Sequence, residues 1–121
     1  MIVAGIVWAL AGILVIVATE MPARGRLGIN GMVGMRFGPL LMSDRAWVAG
    51  HRAAVQSSWA AGISMMILGL VIVFGSLTDE QGALAFGIGF AVLVICLVIA
   101  SRRAYVAASA ELGLEQDEMD P

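Results

Sequence analysis

Three stretches of this chain, residues 2–18, 59–77 and 83–100, carry no charged side chain, and Cys96 is the one ionisable group within them. Each approaches the ~20 residues that an α-helix needs to cross a ~30 Å hydrocarbon core. Core helices of soluble bundles are apolar along one stripe, whereas these stretches are apolar on every face. With 60% hydrophobic and 13% charged residues, a 121-residue soluble domain has no interior large enough to hide so much apolar surface. The chain therefore reads as an all-α integral membrane protein with three transmembrane helices. A membrane domain is expected over residues 1–106, with spans at about 2–19, 58–77 and 83–100, followed by an acidic C-terminal tail over 107–121.

The charges that remain are sorted by sign. Arg24, Arg26, Arg36, Arg45 and Arg52 lie between the first and second spans, Arg102 and Arg103 follow the third, and the turn at 78–82 holds Asp79 and Glu80 without a cation. Arginine-rich connections stay on the cytoplasmic side, so the N-terminus is expected outside and the C-terminus inside. The first stretch lacks a basic start and a good cleavage site, so it is expected to be kept as a helix and not removed as a signal peptide. Cys96, the only cysteine, has no intramolecular partner and reads as a packing residue.

Small residues recur at helical spacing in every span: Gly5, Ala9 and Gly12, then Gly62 and Gly69, then Ala83, Gly87 and Ala91, with Ala85 and Gly89 as a further pair. Such stripes let helix backbones approach closely, which fits a compact bundle or a homo-oligomer. Trp8 reads as a lipid-facing or packing residue, and Pro22 is expected to end the first helix at Met21. With no intramembrane charge, an ion or proton pathway is disfavoured.

Between the first two spans, Gly25, Gly28, Gly31, Gly34 and Gly38, with Pro39, mark an irregular Gly/Arg-rich cytoplasmic loop. The chain has no lysine, which excludes a phosphate-binding P-loop. Ser43 is positioned to cap a helix with Asp44 in its first turn, and nothing from Ala53 onward stops that helix before it enters the second span. Its opening turns place Trp47, Gly50, His51 and Ala54 on one face. They read as an interfacial helix, with Trp47 at headgroup level and the arginines reaching anionic lipid. Beyond the third span, Glu111, Glu115, Asp117, Glu118 and Asp120 read as a solvated tail, disordered past Leu112.

The candidate site is the stretch from Asn30 to Arg52. Asn30, with two donors and two acceptors, suits a residue that holds a turn together. Arg36, in apolar company, must find a carboxylate, a carbonyl cluster or a lipid phosphate, with Glu20 and Asp44 as the local acids, and reads as a clamp tying the loop to the helix. His51 has no second His or Cys nearby and only Asp44 as a local carboxylate, so no metal site is expected; it reads as a structural imidazole bonded to the loop backbone, with a pH-sensitive or ligand-contacting group as the alternative. Ser43, Ser57 and Ser58 share one helix with His51 and cannot form a triad with it, so no catalysis and no cofactor are expected. The residues singled out are Asn30, Gly34, Arg36, Ser43, Trp47, His51 and Arg52.

Asn30 to Arg36, a short link, and then Ser43, Trp47, His51 and Arg52 resemble the core of the SdpI-like family of small bacterial membrane proteins. That pattern is roughly N-x-x-[VIL]-G-[ILM]-R-T, a link, then S-x-x-x-W-x-x-x-H-R. Phe37 and Leu40 stand where the family commonly has Thr, and the chain has three spans where the namesake has more. The resemblance implies a protein of the bacterial plasma membrane, and the namesake protects its producer from a membrane-acting peptide toxin and takes part in signalling to a repressor. The expected function is immunity to, or sensing of, such a toxin. The alternative is a small accessory subunit of a larger membrane complex. Expected partners are membrane lipids, a peptide toxin or larger complex, and further copies of the chain, with no nucleic acid.

Overall fold

Backbone groups inside a bilayer have no water to bond, so an apolar run long enough to span must close its hydrogen bonds within itself as a helix. The computed structural model, which describes residues 1–120, has three such helices: α1 (Ile2–Ala23), α2 (Asp44–Phe74) and α3 (Asp79–Met119). Each is long and apolar enough to cross a membrane, and the chain is an all-α multi-pass membrane protein. A 3₁₀ turn over Gly38–Leu41 is the one further helical element among the described residues.

The helix ends follow from side-chain and backbone chemistry. Pro22 does not end α1, which continues through it to Ala23. The stop comes from Gly25, whose φ of +72° is left-handed, with Arg26 N–H reaching back to Met21 C=O at 3.0 Å. Ser43 Oγ accepts from Ala46 N–H at 3.0 Å and opens α2, which runs unbroken from the loop side into the span. Thr78 and Gln81 form a reciprocal capping box that opens α3.

The acidic segment is not disordered past Leu112, since α3 stays helical to Met119. Composition suggested a solvated tail, but Arg45 at the start of α2 pairs with Glu111 at 2.7 Å, Glu118 at 2.8 Å and Glu115 at 3.8 Å. These carboxylates recur at helical spacing on one face of α3. Ala100, Ala104 and Ala108 are fully buried along the same helix, so close packing continues past the last apolar residues. At 41 residues α3 is about 60 Å long, twice the hydrocarbon thickness, and the α2–α3 pair stands out from the membrane on the arginine-rich side. Arg45→Ala should therefore fray the end of α3. Amide exchange over residues 111–119 should accelerate while the span stays protected, and high salt acting on the wild type should reproduce part of the effect.

α2 is the central helix. On one flank it receives α1 in antiparallel contact, where Gly5 meets Gly69 and Gly12 meets Gly62 so closely that each backbone fills the space of the other's missing side chain. α3 lies on a neighbouring flank. α1 and α3 make no close backbone approach and touch through side chains, Trp8 and Phe86 meeting edge to face at 5.8 Å. The small residues of α1 and α2 thus meet each other, while Gly87 on α3 faces open space.

Candidate functional site

The glycine-rich loop has few side chains with which to build a core, so its order comes from hydrogen bonds to its backbone. Asn30 supplies the first set. Its Oδ1 accepts from Met32 N–H at 2.9 Å and Val33 N–H at 2.8 Å, and its Nδ2 donates to Gly28 C=O at 2.9 Å and Val33 C=O at 3.0 Å. Both ends of the amide are engaged, and they fold residues 28–33 into one turn.

α2 supplies the second set. Trp47 Nε1 donates to Leu27 C=O at 2.8 Å, His51 Nε2 accepts from Met35 N–H at 2.8 Å, and Arg52 Nε donates to Ala23 C=O at 3.0 Å. The His51 contact fixes its tautomer. Nδ1 lies 2.8 Å from Trp47 C=O, which can only accept, so the proton sits on Nδ1 and the Nε2 lone pair faces the loop. Gly34 lies flat on the two rings with φ +99°, and a Cβ there would come within 2.8 Å of His51 Nε2 and 2.9 Å of the Trp47 ring. The last part of the loop is held by packing, with Leu40 fully buried against Gly50 in one cluster with Trp47, Ala54 and Ala104. At α1, Thr19 and Ser58 hydroxyls share a buried hydrogen bond of 2.9 Å, and Glu20 accepts from Trp59 Nε1 at 2.9 Å and Arg24 at 2.7 Å.

Two of the sequence-based roles change. Trp47 is 1% exposed and is not a headgroup anchor, because its indole covers His51 and its N–H is bonded to the loop; Trp59, 41% exposed, is the tryptophan open to the surroundings on this side. Arg36 is exposed and has no hydrogen bond or ion pair among the described residues, since Glu20 is taken by Arg24 and Trp59. The clamp is instead Arg52, whose guanidinium meets the carbonyl end of α1 where the helix dipole favours a cation. Ser43 is spent on its cap, Ser58 on Thr19, and both His51 nitrogens on backbone groups. No cluster of three potential metal ligands occurs among the described residues. Sequence reading missed Thr19, Ser58 and Leu27, whose signals are a lone Thr at a helix end, one Ser among several, and a carbonyl with no sequence signal at all.

His51 lies on the loop side of α2, before the membrane-crossing residues, and it is fully buried. Burial pushes its pKa below the ordinary 6.5, partly offset by the hydrogen bond to Trp47 C=O. Protonation would also set a second N–H against that of Met35. The folded state therefore prefers the neutral ring, so His51's contribution is complete above about pH 6.5 and is lost as pH falls below it. Corrected for the intrinsic pH dependence of exchange, protection of the Met35 amide should fall on acidification from neutral pH to pH 5, while protection in the apolar part of α2 stays constant. A flat profile at Met35 would refute the neutral-imidazole latch.

No curated protein and no solved structure matches the chain. The model of the SdpI/YfhL protein family matches residues 26–101, which take in the latched loop, all of α2 and the apolar part of α3. That match spans more than half of the 121 residues, opening within the loop that Trp47 and His51 hold, and on it the chain belongs to the SdpI/YfhL protein family.

Proposed function

We propose that this protein is a non-catalytic receptor of the bacterial plasma membrane that confers immunity to, or senses, a membrane-acting peptide toxin. The supporting observation is that the family match takes in the loop latched to α2 together with α2 itself. Trp47, His51 and Arg52 bond backbone there and leave no side chain free for chemistry, while Arg36 projects outward without an internal partner. In this reading the N-terminus is outside, the C-terminus is inside, and the toxin meets the protein within the bilayer or at the loop. With this orientation the turn 75–78 between α2 and α3 offers little outer surface to bind it.

Arg36 makes the test clean, because its removal disturbs no internal bond. Expressed in a toxin-sensitive bacterium, the wild type should raise survival under toxin challenge, and Arg36→Ala should insert to the same level yet protect poorly. No protection by the wild type would overturn the immunity reading, and full protection by Arg36→Ala would remove the loop from it. The uncovered face of α3 at Gly87 favours a second reading, an accessory subunit of a larger complex. A stoichiometric large partner co-purifying in mild detergent would replace the first reading with the second.

A further inference from the structure

α1 and α3 flank α2 without close backbone approach, leaving a crevice between them. Trp8 and Phe86 close it at one end, and the loop residues Gly34 and Met35 close it at the other. Beside the loop the crevice holds a cavity of about 170 Å³, walled by Val15, Ala18 and Thr19 of α1 and by Leu97 of α3. Leu97 also lines an open groove of about 350 Å³ on the surface of α3, together with Val94, Val98, Ser101 and Arg102 of the same helix. The slot is hydrocarbon along its length and polar at one end.

Arg102 lines the open groove, and the loop that closes the crevice carries Arg36. Arg102 is exposed and has no hydrogen bond or ion pair among the described residues, and the same holds for Arg36, which follows the cavity residue Met35. The loop runs close to α3 here, since a Cβ on Gly38 would lie 3.6 Å from the Tyr105 ring, one helical turn beyond Arg102. Arg103, by contrast, is bonded to Gln56. An apolar slot ending in free guanidiniums matches an acyl chain ending in a phosphate, which an arginine fork can bind through paired N–H donors. A second copy docked on the same slot would bring like charges together.

We propose that the crevice between α1 and α3 seats an acyl chain of one anionic phospholipid, whose phosphate is held by Arg102 with Arg36 beside it. The test uses the full-length protein in nanodiscs made of equal phosphatidylcholine and phosphatidylglycerol, with retained lipid read by native mass spectrometry. Phosphatidylglycerol should stay bound in preference to phosphatidylcholine. Arg102→Gln should lower its retention about fivefold, the worth of one guanidinium near an anionic headgroup. Arg103→Gln removes the same charge one residue away and should leave retention unchanged. Leu97→Trp fills the crevice without altering charge and should lower retention as well. Equal losses in Arg102→Gln and Arg103→Gln would mean a diffuse attraction to the basic surface and overturn the proposal. Unchanged retention in Leu97→Trp would overturn it too.

Discussion

Gly62→Leu is expected to separate α1 from α2 without expelling α1 from the membrane. A side chain at position 62 would begin 2.6 Å from Gly12 C=O and also press on Ile16, while a side chain at Gly12 would meet Met65 Cβ at 3.0 Å. Overpacking a core that can yield costs roughly 1–3 kcal/mol, and here the obstacle is backbone, so the cost should reach the top of that range or exceed it. Nothing offsets it, because lipid is as apolar as leucine and helices associate in a bilayer through close contact, not through escape from water. Loss of contact at Gly62 would also part Thr19 from Ser58 and Glu20 from Trp59, one turn away on the same seam. Thermal unfolding in detergent should show a large drop in midpoint for Gly62→Leu, a smaller one for Gly62→Ala, and little change for leucine at Gly87, which faces open space. A Gly62→Leu protein as stable as wild type would disprove the seam.

Trp47→Ala should release the loop. Removing a fully buried tryptophan costs about 3–5 kcal/mol, and this one also leaves Leu27 C=O without its donor and uncovers His51. Trp47→Phe keeps most of the volume and loses only the N–H, for about 1–2 kcal/mol. The loop carries its own reporters, since trypsin cleaves after arginine and Arg24, Arg26 and Arg36 are exposed. Cleavage at these sites should be slow in the wild type, faster in Trp47→Phe and fastest in Trp47→Ala, with the spans intact throughout. Equal rates would show that Trp47 does not hold the loop.

The helices were legible because their signals are local: an uncharged run long enough to span, Ser43 ahead of the second, and small residues every three or four positions. The α1–α2 seam follows directly from Gly5 and Gly12 meeting Gly69 and Gly62. The loop was legible only in part. Its fastening depends on Leu27 C=O, Met35 N–H and Ala23 C=O, and every residue has such groups, so nothing in the sequence distinguishes the ones that are used. For the same reason the sequence did not tell Arg52, which finds a carbonyl, from Arg36, which finds nothing internal. Five glycines with even spacing look equivalent, yet Gly28 and Gly31 face open space while Gly34 alone lies against Trp47 and His51. The acidic end was misjudged because the arginine that organises it lies 66–73 residues earlier in the chain.

Because α1 packs on α2 and α3 packs on α2, each helix meets its main neighbour in the order in which a ribosome would deliver it. Membrane insertion can thus proceed one hairpin at a time, the first seam zipping while the third helix is still being made. The loop is the exception. Trp47 and His51 can grip it as soon as α2 exists, but the cluster that buries Leu40 is complete only when Ala100, Ala104 and Ala108 of α3 arrive. The site is finished last in biogenesis, so a chain stalled or truncated before residue 104 would be inserted in the membrane with its loop only half fastened.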